Sequence, residues 1–133
     1  MNSFFRKLHP SIAIYLALTL VGCSFRSHEA QRFRITNTSD IPIEQAIVTF
    51  PNERLVFGPL APHSTSPYHV VQHGVYRDAS YELTIHNQML QFPVIDWVGE
   101  QPLAGQGFTS YLAVDLQAAQ YQQIQASIRA SED

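Results

Sequence analysis

From residue 32 onward, apolar and polar residues alternate in short runs that are separated by turn-forming residues. Tyr81, Leu83 and Ile85 alternate with polar neighbours, a pattern that is typical of a strand with one buried face. Prolines, glycines and polar stretches such as the segment 61–67 lie between the runs and predict turns and loops. The pattern predicts strands over residues 33–36, 43–50, 55–57, 68–70, 81–85, 89–94, 108–114 and 124–128.

About eight short strands at this spacing predict an all-β domain over residues 32–133, folded as an antiparallel immunoglobulin-like β-sandwich. A small barrel is the alternative. The chain lacks the inter-sheet cysteine pair of antibody domains, so this expectation concerns the architecture alone. Alanine and glutamine between residues 116 and 123 favour helix, and we therefore expect one helical turn before the last strand.

The first 22 residues have the organisation of a secretory signal peptide. Arg6 and Lys7 precede a mostly apolar run over residues 12–21, and small residues end that run. A membrane-spanning helix needs about 20 apolar residues, whereas this run has roughly half that length because Gly22 and Ser24 follow it. We therefore predict an exported protein from which residues 1–22 are removed.

The segment Leu20-Val21-Gly22-Cys23 resembles the lipobox of bacterial lipoproteins. The resemblance implies cleavage before Cys23, a diacylglycerol on the Cys23 sulfur and acylation of the new N-terminus, which together give stable anchoring. Ser24 in place of aspartate resembles the signal for transport to the outer membrane of Gram-negative bacteria. Residues 23–31 are then a lipidated tether, and the domain is expected at the periplasmic face of that membrane. An ordinary secretory signal with a chance cysteine is the alternative.

The domain itself resembles a group of small, uncharacterised bacterial β-sandwich lipoproteins. The resemblance covers most of the chain after the tether and implies no particular activity. Its residues are Phe57-Gly58-Pro59-Leu60, Tyr76, Ala79, Asp96-Trp97-Val98-Gly99-Glu100, Pro102-Leu103 and Phe108-Thr109-Ser110-Tyr111-Leu112.

The charge of the exported part argues against nucleic-acid binding. After residue 22 the chain carries six arginines, no lysine and eleven acidic residues, which give a formal charge of −5. Nucleic-acid binding requires a basic footprint instead. Arg26, Arg32 and Arg34 are concentrated beside the predicted anchor, where they either face lipid headgroups or form a solvated domain edge.

Four histidines, His63, His69, His73 and His86, lie in the middle of the chain. His69 and His73 are the candidate metal ligands, because neutral imidazole binds zinc and copper. Four residues of strand separate two side chains by about 13 Å, so the pair can chelate only if the chain curls back. We therefore favour exposed polar histidines and predict no metal and no cofactor.

The second candidate site is the loop Asp96-Trp97-Val98-Gly99-Glu100. Asp96 and Glu100 can bind a cation, and Trp97 can stack on a ligand. Alternatively Trp97 plugs one end of the sandwich while Asp96 hydrogen-bonds backbone amides in a turn. We favour this structural role, because loops that cap a sandwich require both features.

The sequence contains no Gly-x-Ser-x-Gly elbow, phosphate-binding loop or His-Glu-x-x-His zinc helix. Asp96, Glu100 and Asp115 can supply paired acids for hydrolysis of envelope polymers only if two of them share a cleft. We therefore predict a protein that is not an enzyme but a membrane-anchored interaction module, which contacts another envelope protein through edge strands or loops. The alternative is a small-ligand or metal-binding envelope protein that uses the central histidines or the Trp97 loop.

Overall fold

The computed structural model describes residues 30–94 and 96–132. The predicted signal peptide, Cys23 and most of the predicted tether lie outside the described residues. The described strands are β1 (Gln31–Asn37), β2 (Gln45–Phe50), β3 (Glu53–Phe57), β4 (His69–Val71), β5 (Ser80–Ile85), β6 (Gln88–Phe92), β7 (Gly107–Val114) and β8 (Ile124–Ala130). Within these residues no helix has the length and apolar character required to cross a membrane.

The strands form two four-stranded sheets that pack against each other as a sandwich. One sheet has the order β4-β1-β7-β8 and the other β3-β2-β5-β6. Across the interface, the rings of Phe33 in β1 and Phe50 in β2 meet edge to face with centroids 5.2 Å apart. The prediction of an all-β sandwich is therefore confirmed at the level of class and layers.

One strand pair contradicts the prediction of a wholly antiparallel sandwich. β1 runs parallel to β7, with Arg32 opposite Gly107 and Asn37 opposite Leu112, while the other strand pairs are antiparallel. Between β1 and β7 the chain passes twice through the other sheet, so no hairpin turn dictates their relative direction. Side chains alternate identically in both directions, and the sequence pattern therefore carries no signal for this pairing.

Alternate residues of both sheets fill the core. In β5, Tyr81, Leu83 and Ile85 point inward and are at most 2% exposed, as the alternation predicted. The inner face of β7, which was also predicted, is buried from Phe108 to Val114. Burial of a large apolar side chain stabilises the fold by about 1.5–3 kcal/mol, so these two central strands supply much of the driving force.

The connections between the strands follow local chemistry. His86 and Asn87 form the two-residue turn between β5 and β6, and their φ angles of 50° and 62° match the turn type that suits a twisted hairpin. The expected helical turn is a 3-10 helix over Gln120–Gln122. Asn37 is the buried last residue of β1 and also shapes the bend after it: its side-chain oxygen accepts a hydrogen bond from the Ser39 amide at 3.0 Å, and its side-chain amide donates to the Ile41 carbonyl at 2.8 Å.

Candidate functional site

β8 is an edge strand, because β7 is its only neighbour in the described sheet. Just before β8, the carbonyl of Gln123 accepts a hydrogen bond of 2.9 Å from the amide of Asp115. Residues of an antiparallel edge strand direct their backbone groups alternately toward the partner strand and away from it. The odd-numbered residues of β8 therefore face β7, and the amides and carbonyls of Ala126 and Ile128 point to the open side.

A cleft of about 500 Å³ lies beside the same two residues. Its apolar walls come from both sheets and are formed by Ala79, Tyr81, Phe92, Pro93, Val94, Ala126 and Ile128. The exposed charged residues Arg77, Asp78 and Asp96 complete the lining. The cleft thus combines apolar walls, a charged rim and an open strand edge.

The buried wall of the cleft is held by Tyr81. Its hydroxyl shares a hydrogen bond of 2.6 Å with the hydroxyl of Ser110, which joins β5 to β7 across the sandwich. The Tyr81 ring also meets the Phe92 ring edge to face, with centroids 6.2 Å apart. Burial raises the pKa of Tyr81 far above its usual range, although the Ser110 hydrogen bond opposes that rise. The phenol therefore stays neutral, which suits a structural wall and not a general base.

The predicted loop at residues 96–100 borders this cleft. The Asp96 carboxylate accepts a hydrogen bond from the Val98 amide at 3.1 Å, and the Glu100 amide donates to the Trp97 carbonyl at 2.9 Å, so the segment forms a tight turn. The Trp97 indole donates to the carbonyl of Asp78 at 2.8 Å. Trp97 is half-buried and lies outside the buried core cluster, so it fastens the loop to the chain before β5 rather than filling the sandwich.

The four central histidines occupy different surroundings. His63 pairs with an aspartate of the β1–β2 loop at 2.6 Å, and His86 lies in the β5–β6 turn. The His69 ring stacks on Phe57 at a centroid distance of 4.0 Å, whereas the His73 amide donates to a glutamate of β3. Among the residues that the structure describes, no group of three or more histidine, cysteine or acidic side chains could hold a metal ion.

The three acids considered for hydrolysis are not brought together in the cleft. Asp96 lines it, but Glu100 and Asp115 do not. Asp115 follows β7, where its carboxylate accepts a hydrogen bond from the Gln117 amide at 2.9 Å. The two acids that do line the cleft are Asp78 and Asp96, and each has a local partner: Arg77 lies 3.9 Å from Asp78, and Asp96 accepts the Val98 amide.

The apolar walls of the cleft were not predicted as a site. The alternation predicted a buried face for Tyr81 and strands that include Phe92 and Ile128, but it gave no information about which sheet edges meet. No local signal marks β8 as the open edge, because β1 to β6 also contain neither proline nor glycine.

No protein-family model matches the chain, and no curated protein matches it. Among solved structures, the chain is similar to one described as the NMR structure of the protein from Eubacterium rectale. The two share a TM-score of 0.54 and 15% identity, over 82% of this chain and 97% of that one. At this identity the likeness shows the fold alone.

Proposed function

We propose that this chain is a lipid-anchored protein of the bacterial cell envelope whose β-sandwich binds an extended segment of another envelope protein. The signal-peptide organisation and the lipobox support lipidation of Cys23 after cleavage, and Ser24 supports the periplasmic face of the outer membrane as the location. Two four-stranded sheets packed as a sandwich support the finer assignment of an immunoglobulin-like architecture.

The observation that carries the binding proposal is the coincidence of an open strand edge with an apolar cleft. Ala126 and Ile128 direct their backbone groups to the open side of β8, and their side chains line the cleft. An extended peptide that hydrogen-bonds to this edge continues the sheet by one strand. Every second side chain of that peptide then faces the same way as Ile128, toward the apolar walls.

The chemistry of the cleft favours binding over catalysis. Tyr81 is neutral and engaged with Ser110, and Asp96 is engaged in its own turn. Backbone hydrogen bonds provide affinity that depends little on sequence, whereas the cleft selects small or apolar side chains at alternate positions. We therefore assign the protein a non-catalytic role, with no cofactor.

The test is site-specific photo-crosslinking in intact cells that express the full chain. A benzophenone amino acid at Gln125, which is exposed on β8, should give a discrete adduct with a second protein. The matched control is Gln45, which is equally exposed but lies on β2 in the interior of the other sheet, and it should give none. Equal adducts at both positions, or no adduct at Gln125, would contradict the proposal.

A second variant isolates the strand edge. Ala126→Pro removes an amide that points away from β7 and should abolish the Gln125 adduct, because the added strand loses a donor. Ala126→Val keeps that amide and should retain the adduct. If limited proteolysis shows that the Ala126→Pro variant is folded and the variant still gives the Gln125 adduct, the partner does not bind by strand addition.

A further inference from the structure

The outward surface of the β4-β1-β7-β8 sheet is basic and aromatic. Arg32 and Arg34 extend from β1, Arg129 extends from β8, and Tyr68 and Tyr111 lie among them. The Arg32 and Arg34 guanidinium groups lie 4.5 and 4.4 Å from the centroid of the Tyr68 ring, and that of Arg129 lies 5.6 Å from the Tyr111 ring. We call this surface the arginine face.

The register places two of these arginines in one row across three strands. Arg34 of β1 lies opposite Thr109 of β7, and Thr109 lies opposite Arg129 of β8. The Arg34 Nε donates to the Thr109 hydroxyl at 2.9 Å, which orients the guanidinium along the sheet surface. A shallow depression of about 600 Å³ covers this row, and its lining also includes Tyr111 and Glu132.

The sign of the charge on this sheet opposes that of the whole exported chain. The four described strands of the sheet contain three arginines and no lysine, aspartate or glutamate, although the chain after residue 22 has a formal charge of −5. The outer face of the other sheet carries charge of both signs, since Arg54 of β3 and Glu82 of β5 lie 3.8 Å apart there. Positive charge that is segregated on one face of an acidic protein complements an anionic surface.

The arginine face also begins where the tether enters the domain. β1 starts at Gln31, so Arg32 and Arg34 lie only about 3 and 10 Å along the strand from the end of the predicted tether. Seven residues separate Cys23 from β1, and they reach less than about 30 Å when extended. A lipid on Cys23 therefore keeps this end of the sheet within contact distance of the bilayer surface.

We propose that the arginine face binds the phosphate headgroups of the phospholipid surface that holds the Cys23 anchor. The proposal rests on the lipid attachment proposed above. Arginines donate several hydrogen bonds to phosphate, and tyrosine rings suit the boundary between headgroups and water. Each arginine near an anionic surface is expected to strengthen contact about fivefold, and salt should weaken it because the attraction decays within the Debye length. The docked sheet would leave the cleft at the side of the sandwich accessible to a protein partner.

The experiment uses the full lipoprotein reconstituted into vesicles of phosphatidylcholine with phosphatidylglycerol. A fluorophore is attached to Ser127→Cys on the arginine face or to Gln91→Cys on the outer face of the other sheet, both exposed positions. Nitroxide headgroup lipids should quench the first label several-fold more strongly than the second. This difference in quenching between the two labels should shrink in the Arg32→Gln/Arg34→Gln/Arg129→Gln variant. It should also shrink in about 1 M salt and in vesicles of pure phosphatidylcholine. Arg54→Gln is the matched control and should leave the difference in quenching unchanged.

Vesicle flotation separates this proposal from the one on which it rests. Loss of flotation would mean that Cys23 carries no anchor and would contradict both. Flotation with equal quenching at the two labels would overturn only the proposal that the arginine face binds headgroups. Flotation with quenching that the arginine substitutions leave unchanged would do the same. Disulfide-linked dimers of the Ser127→Cys protein in vesicles would assign the face to a second copy of the chain and would also overturn it.

Discussion

The two long sides of the sandwich, where an edge of one sheet meets an edge of the other, are closed in different ways. On the side of β3 and β4, the Glu53 carboxylate accepts hydrogen bonds from the amides of Gln72 and His73 at 2.8–3.0 Å, and the His69 ring covers Phe57. On the side of β6 and β8, no hydrogen bond between the two edges is found among the described residues, and the cleft lies nearby.

Under the proposed function, this difference separates the side that stabilises a small domain without disulfides from the side that binds a partner. The closed side uses a charged acceptor and aromatic stacking to hold the sheets together. The open side keeps its backbone groups available and leaves part of its apolar surface in contact with water, a cost that a bound strand would reverse. The proposed function therefore assigns recognition to the open side of the core and stability to the closed side.

The largest expected effect is a difference in the loss of stability when a phenylalanine is truncated to alanine on each side. Phe57→Ala on the closed side should lower the free energy of unfolding by about 3–5 kcal/mol, because Phe57 is 1% exposed and its removal leaves a cavity. Phe92→Ala on the open side should cost only about 1–2 kcal/mol, since Phe92 is half-buried. Urea unfolding of both variants measures this. Equal losses would mean that the open side contributes as much to stability as the closed side.

The next comparison concerns the carboxylates on each side. Glu53→Ala should cost about 2–3 kcal/mol, because two backbone amides lose a charged acceptor. Asp96→Ala should cost about 0.5–1 kcal/mol, because it removes one hydrogen bond within an exposed turn. Hydrogen exchange should show faster exchange of the Gln72 and His73 amides in the first variant only. Unchanged exchange of the Gln72 and His73 amides would mean that Glu53 does not hold this side of the sandwich closed.

A smaller effect concerns the hydrogen bond behind the cleft. Tyr81→Phe should cost about 1–2 kcal/mol at neutral pH, because the Ser110 hydroxyl remains buried without its partner. The raised pKa of Tyr81 adds a pH dependence: the unfolded chain releases this proton near pH 10 whereas the folded chain retains it. The stability of the natural protein should thus fall above about pH 10, by about 1.4 kcal/mol per pH unit for this group. The variant should show a shallower fall in urea titrations at several pH values, and identical slopes would contradict the assignment.

The smallest expected effect is at the open edge itself. Ala126→Pro should change the free energy of unfolding by less than about 1 kcal/mol, because its amide points away from β7 and proline is tolerated on an open edge. Gln125→Pro is the matched control and should destabilise the protein more, since its amide faces β7. Thermal unfolding of the two variants measures the contrast. A larger loss for Ala126→Pro would mean that this backbone already has a partner in the folded protein.

Much of the local structure could be predicted from the sequence. The alternation located all eight described strands, and the helical preference of residues 116–123 located the 3-10 helix. The candidate site was predicted only at its rim, through Asp96. Its walls join Tyr81, Phe92 and Ile128, which lie up to 47 residues apart in the chain. No local pattern specifies which distant strands become neighbours.

The sequence by itself determined the short-range properties of the described domain, namely the positions of the strands and the inward side of each, and it predicts an export signal that ends at Cys23. These depend on the chemistry and periodicity of neighbouring residues. Only the tertiary structure decided the parallel pairing of β1 with β7, the open edge at β8 with its cleft, and the gathering of Arg32, Arg34 and Arg129 on one face. These depend on the order and register of strands, which arise from contacts between residues remote in the chain.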